Sequence, residues 1–141
     1  MKNIVYVSTS IRLLSDEELI DILTVARQKN AEHNITGVLL YSEGTFLQVI
    51  EGDNENVDAI FANIKNDKRH KNIITLIDEA IPHKNFSEWA MGFTSVKPDK
   101  SEELLGYLNA ADKLNVIDGN SAAVSTLKTF IESNHLFIHT N

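Results

Sequence analysis

Two apolar runs, residues 35–41 and 45–51, flank the short turn Ser42-Glu43-Gly44. Runs of that length on either side of a glycine-bearing turn fold back as an antiparallel hairpin. Whatever else the chain forms must pack around that hairpin. Upstream, Ser15 stands before Asp16, Glu17 and Glu18. A serine with a glutamate three residues on is the capping-box pattern, and the acids suit the positive end of a helix. Leu19, Ile22, Leu23 and Ala26 follow at helical spacing, so a helix is predicted to end near residues 30–34. Downstream, Gly52, Asp53 and Asn54 break the second strand and offer caps. Val57, Ile60, Phe61 and Ile64 then predict a second helix with one apolar stripe.

The outer segments complete the pattern. Residues 4–7 are apolar on both faces and predict a central strand, with residues 8–14 as a connection. Residues 66–71 form a polar corner, and residues 73–81 predict a long strand ending at Pro82. A short helical turn is expected at 86–90 and a last strand at 91–96. The order β-α-β-β-α-β plus one strand is α+β and ferredoxin-like, with two helices on one face of an antiparallel sheet. Pro98 and Asp99 end that core. Residues 101–111, with Leu104, Leu105 and Leu108, and residues 121–133, with Val124, Leu127, Phe130 and Ile131, predict two helices. Residues 1–97 are therefore expected to form the main domain. Residues 98–141 are expected to form a helical extension that covers the exposed sheet face or mediates self-association.

Composition narrows the function. The 141 residues are 43% hydrophobic, enough for one core. A net charge of −7 repels nucleic acid. The one basic cluster, Lys68, Arg69, His70 and Lys71, is too short to line a nucleic-acid groove, though it suits a phosphate or diphosphate. No cysteine is present, so disulfides, thiol nucleophiles and thiolate metal sites are excluded. His33, His70, His83, His135 and His139 lack the spacing of a metal motif, the last two lying in an expected frayed tail, and no metal is expected. No signal peptide and no run of membrane-spanning length is seen, which makes the cytoplasm the expected location. Nucleophile-elbow, phosphate-loop and dinucleotide fingerprints are missing. Arg12 lies after the first strand, where a small acylphosphatase-like hydrolase would bind an anion, but no glycine cradle surrounds it.

Two polar side chains stand out in the apolar strands. Gln48 interrupts Phe46-Leu47-Gln48-Val49-Ile50, and Tyr6 sits in the first strand. Alternation leaves Gln48 two fates. It faces solvent, or it is buried and must find partners for an amide that both donates and accepts. A tyrosine in a central strand is ordinarily core, with its hydroxyl satisfied by some acceptor.

With these pieces in order, the chain resembles the BLUF family of flavin-binding blue-light sensors over about residues 1–96. The resemblance rests on Tyr6-Val7-Ser8, on Asn30 before Ile35-Thr36-Gly37-Val38, and on Phe46-Leu47-Gln48-Val49-Ile50-Glu51-Gly52. Asp67-Lys68-Arg69-His70 and Trp89-Ala90-Met91 complete it. It implies FAD, or FMN or riboflavin, held between the two helices without a covalent bond. Tyr6 would be the electron donor to the excited flavin. Gln48 would bridge the phenol and the ring, reversing its hydrogen-bond pattern by rotation or tautomerisation. Asn30 would bond the ring's polar edge, with Ile22 and Ile64 as apolar walls. Ser8, Lys29, Phe46, Asp67, Arg69 and His70 would complete the cofactor site. Trp89 and Met91 would carry the signal towards an unidentified downstream protein. Lys29 departs from the asparagine or histidine that several members carry there, and Ser10 from a common alanine. The resemblance implies a sensor without enzymatic activity of its own. A small hydrolase, a flavin-free interaction module and a flavin reductase are the alternatives. The last would need a nicotinamide site that the sequence does not reveal.

Overall fold

The computed structural model describes residues 1–86, 92–95 and 122–140. The described elements are β1 (Lys2–Ser10), α1 (Asp16–Glu32), β2 (Thr36–Ser42), β3 (Thr45–Gly52), α2 (Asn54–Lys65), β4 (His70–Ala80), β5 (Gly92–Ser95) and α3 (Ala122–Thr140). They build one sheet in the order β4-β1-β3-β2-β5. β1 runs antiparallel to both β3 and β4, and β2 runs antiparallel to β3. This is the expected ferredoxin-like sheet. The added strand β5 pairs parallel with β2, at the edge opposite β4.

Local chemistry fixes the element ends. The Ser15 hydroxyl accepts from the Glu18 N–H and the Glu18 carboxylate accepts from the Ser15 N–H, both at 3.2 Å, so the capping box forms. α1 stops where Asn34 takes φ 57°, a left-handed value that asparagine tolerates. The hairpin closes with Glu43 at φ 46° and Gly44 at φ 88°. Two successive positive φ angles match the twist of the flanking strands, and glycine meets the second without steric cost. Asp53 is the N-cap of α2, but its side chain makes no capping bond. The helix is begun instead by the Val57 N–H donating to the Asp53 carbonyl at 2.9 Å.

Three segments differ from expectation. Residues 8–10 continue β1 rather than leaving it, because Ser8 and Thr9 pair with Phe46 and Thr45. β4 starts at His70, so the corner is shorter than residues 66–71, and its pairing with β1 slips twice, with Asn72 at φ 55°. Such bulges twist an edge strand away from straight pairing. Finally, α3 runs to Thr140, so the positions of His135 and His139 fall inside a helix rather than in a frayed tail. The expected helix at 101–111, most of the expected turn at 86–90, and both Trp89 and Met91 lie outside the described residues.

Strand alternation sorts the core into two layers. Ile4, Tyr6, Leu39, Tyr41, Phe46 and Ile50 pack beneath α1 and α2, against Leu19, Leu23, Val57 and Phe61. Val5, Val38, Leu40, Leu47 and Val49 face the other way and pack with Phe86 and with Ala123, Val124, Leu127 and Ile131 of α3. The C-terminal helix thus packs on the second sheet face. Gly37 on β2 has a special function in this sheet: a Cβ there would come within 1.8 Å of the Val49 carbonyl oxygen, so only glycine lets β2 lie this close to β3.

Candidate functional site

Tyr6 and Gln48 are direct partners in the β1–β3 register, and Leu39 opposes Gln48 from β2. Both polar side chains therefore leave the sheet on the same face, side by side, toward the helices. The Tyr6 hydroxyl donates to Gln48 Oε1. Tyr6 is 3% exposed and Gln48 6%, so of the two fates left open for Gln48 the buried one is realised. Burial, and then the negative charge of Asp67, push the Tyr6 phenol above its ordinary value, so it remains protonated at any physiological pH. The phenol ring lies 5.5 Å from the Phe61 ring and 6.2 Å from the His70 ring.

Above this pair, α1 and α2 do not close. Between them and the sheet lies a cavity of about 150 Å³. Its floor is Tyr6, Leu39, Phe46 and Gln48 from the central strands. One wall is Ile22, Val25 and Ala26 of α1, and the other is Ile60 and Ile64 of α2. Lys29, Asn30, Asn63, Asp67, Arg69 and His70 give it a polar end. Asn30 is almost fully buried, which suits an amide that binds a polar group inside the cavity rather than solvent.

The polar end is organised by side-chain bonds. His70 Nε2 lies 2.7 Å from the Ile64 carbonyl, and Nδ1 lies 2.7 Å from the Ser8 hydroxyl. A carbonyl can only accept, so Nε2 carries the proton. His70 thereby ties β4 to the end of α2 and to β1. Arg69 forks onto Asp67, with Nε 2.9 Å and 3.0 Å from the two carboxylate oxygens. This hydrogen bonding holds the Asp67 carboxyl below the usual range and raises the Arg69 guanidinium in return. Phe46 packs against Tyr41 at 4.8 Å between ring centroids and meets His70 edge-on at 6.3 Å. Lys29 is exposed at the rim.

The structure thus brings Tyr6, Ile22, Lys29, Asn30, Phe46, Gln48, Ile64, Asp67, Arg69 and His70 around one cavity, with Ser8 behind His70. Trp89 and Met91 fall outside the described residues. Leu39, Val25, Ala26, Ile60 and Asn63 also line the cavity without having been singled out as site residues. Ala26 and Ile60 do lie on the helical stripes, and Asn63 sits three residues after Ile60 on the same side, which was the available signal. Arg12 does not join the site. It is exposed and paired with Glu18 at the start of α1.

The donor set fits a flavin. A flat, largely apolar tricycle needs two apolar walls, and Ile22 and Ile64 stand on opposite helices. Its heteroatom edge needs amide-like partners, and Gln48 and Asn30 are buried at the cavity. Among the described residues no group of three His, Cys, Asp or Glu could hold a metal ion, and no helix is long and apolar enough to cross a membrane.

Comparison with known proteins agrees with this geometry. The family described as BLUF, sensors of blue-light using FAD, matches residues 1–92. The photoactivated adenylate cyclase subunit alpha of Euglena gracilis is 36% identical over 93 residues, covering 64% of this chain but 9% of that protein. The blue light- and temperature-regulated antirepressor BluF of Escherichia coli (strain K12) is 28% identical over 85 residues, 60% of this chain and 21% of the antirepressor. The chain thus spans only a small part of these curated relatives. The solved dark-state structure of BlrB, a BLUF protein, superposes with a TM-score of 0.67 at 27% identity, covering 94% of this chain and 96% of that one. A bacterial light-regulated adenylyl cyclase gives 0.66 at 37% identity over 80% of this chain and 35% of the cyclase. With the fold, the cavity between α1, α2 and the sheet and the match over residues 1–92 in agreement, the chain belongs to the BLUF family of blue-light sensors that use FAD.

Proposed function

We propose that this protein is a blue-light photoreceptor. It holds FAD non-covalently between α1, α2 and the sheet, and its light response is an exchange of hydrogen bonds at Tyr6 and Gln48. A bound flavin supplies light absorption and an electron-accepting excited state. Everything else falls to the chain. Ile22 and Ile64 sandwich the ring and keep water from it. Asn30 and Gln48 bond its polar edge, and Lys29 at the rim provides positive charge for a phosphate-bearing tail, which favours FAD or FMN over riboflavin.

The observation that carries this reading is the buried Tyr6–Gln48 hydrogen bond on the cavity floor. A phenol pushed above its ordinary value gives up an electron most readily when its proton has an acceptor, and the Gln48 carbonyl is that acceptor. Half a turn of the amide would present its N–H₂ group to the phenol oxygen and reverse every bond the amide makes. Such a reversal leaves the flavin unconsumed, so there is no net reaction and no enzymatic turnover. It acts as a signal only if a partner protein binds the two states with different affinity. Residues 1–97 form the sensor in this reading. The extension at 98–141, together with the sheet edges, offers surface for that partner or for a second copy, and the protein works in the cytoplasm. Arg12, committed to Glu18 outside the cavity, speaks against the hydrolase alternative.

The purified protein is expected to be yellow, to release FAD on denaturation, and to show a reversible shift of its absorption to longer wavelength under blue light. Gln48→Leu is expected to stay yellow and lose the shift. A normal shift in that variant removes Gln48 from the mechanism.

A further inference from the structure

Glu51 is a buried carboxyl that the light reaction does not use. It lies on β3, three residues beyond Gln48, but on the opposite sheet face, and it has no exposed surface. Burying an ionisable group costs free energy unless several partners hold it. Here the partners come from two elements. The Thr36 hydroxyl on β2 donates to Oε1 at 3.2 Å. The backbone N–H groups of Asn85 and Phe86 donate at 3.0 Å and 2.5 Å, one to each carboxylate oxygen. Two successive backbone amides on one carboxylate form a clamp, and such charge-assisted bonds are stronger than neutral ones.

The position of the clamp gives it a consequence. β4 ends at Ala80 on one side of the sheet, and β5 lies at the opposite edge. The chain crosses between them, and Glu51 pins it at 85–86. The next fixed point is Gly92, paired with Val38. Only residues 87–91, Trp89 and Met91 among them, join the two anchors.

A second arrangement is available to the carboxylate. Asn3 is the direct register partner of Glu51 on β1. Its side chain is fully buried, and neither its nitrogen nor its oxygen has a hydrogen-bond partner. Directly opposed cross-strand residues hold their Cβ atoms about 5 Å apart. An idle buried donor at that spacing is a ready alternative to the two backbone amides.

We propose that Glu51 is a positioning residue for the light response: it clamps the 85–86 corner to the strand that carries Gln48, and the light state trades that clamp for Asn3, which releases the corner. This deepens the photoreceptor reading and rests on it. A displacement of β3 at Gln48 is delivered three residues on to the bonds that hold the 85–86 corner. Desolvation raises the Glu51 carboxyl above its usual range, opposed by its three donors and by Lys84. Lys84 is itself tied to the Asn34 carbonyl at 2.5 Å, and His83 on the same corner is exposed. Asn3 and Thr36 face the carboxyl uncharged, and the α3 side chains that pack with Phe86 are apolar.

The test uses the full chain loaded with FAD. Amide hydrogen exchange at Asn85 and Phe86 is measured in darkness and in light, with emission from Trp89, the single tryptophan. In the dark wild type both amides are expected to be protected. In Glu51→Gln one acceptor oxygen is lost, and exchange at one or both is expected to accelerate at least about tenfold. The flavin shift should persist, while the light-induced change in Trp89 emission disappears. Unchanged protection, or a persisting emission change, overturns the proposal. If Glu51→Gln does not fold, Thr36→Val serves. Removing one donor to the charged form raises the pH at which protection of Asn85 and Phe86 is lost on acidification, and an unmoved midpoint overturns the proposal. A wild type with no flavin shift at all would instead defeat the photoreceptor reading, while dark protection still tests the clamp.

Discussion

The two faces of the sheet are made by the same strands and end in opposite states. On the α3 face, Val5, Val38, Leu40, Leu47 and Val49 have no exposed surface and meet a helix whose Ala123, Val124, Leu127 and Ile131 are equally buried. On the α1–α2 face the neighbouring positions, Tyr6, Leu39, Phe46 and Gln48, floor a cavity, and the helices above it leave Ile22, Ile60 and Ile64 only half-buried. One face packs its central residues against α3. The other holds a phenol and an amide under two walls that lack the contacts a core would give. Both faces therefore carry core, and the binding capacity is concentrated where the α1–α2 face opens into the cavity.

The largest test of that contrast is a deletion on the closed face. Leu47→Ala removes a fully buried side chain from a tight layer, and a loss of about 2–5 kcal/mol is expected in denaturant unfolding of the flavin-free protein. Ile64→Ala, on the cavity wall, is expected to cost only about 1 kcal/mol in the same assay, because its side chain is only partly buried. It should weaken FAD binding, measured by fluorescence titration, where Leu47→Ala would act only through the fold. Equal stability losses would abolish the distinction between the faces. Next in size is Tyr6→Phe, which keeps the ring packed against Phe61 but removes the donor to Gln48. It is expected to cost about 1 kcal/mol, to remain yellow and to lose the normal light shift.

The same contrast explains what was legible in the sequence. The hairpin, the Ser15–Glu18 cap and both helix stripes were readable because periodicity and caps are local signals. The side on which Gln48 emerges was not. Both faces of β3 are covered, so apolar residues fall on both parities, Phe46 and Ile50 on one and Leu47 and Val49 on the other, and do not mark which parity faces which layer. The pairing of Tyr6 with Gln48 is a register between strands 42 residues apart, which no local pattern carries. Ser8 to Ser10 read as a connection because they are polar, yet they are held in β1 by β3 and β4, and Ser8 serves His70. Glu51 stood within the quoted motif, but its role depends on a corner 34 residues away. The parallel pairing of β5 with β2 is likewise a long-range fact.

The smallest effect lies at the open face's polar end. Asp67 is held below its usual range, first by its bond to Arg69. A carboxyl lowered in the folded state adds stability that is fully present above its unfolded value and is lost as pH falls through the folded one. The pair is largely solvent-exposed on the arginine side, so screening limits the contribution to about 0.5 kcal/mol. Asp67→Asn in the flavin-free protein is therefore expected to lower stability slightly at pH 7, with the difference from wild type fading as pH falls through the lowered folded-state value and shrinking in high salt. The same substitution removes a charge that helps hold the Tyr6 phenol up, so the phenol's titration should move down in the variant, read by ultraviolet absorption on alkalinisation. A stability loss of several kcal/mol at Asp67 would make the cavity's polar rim structural and contradict its assignment to binding.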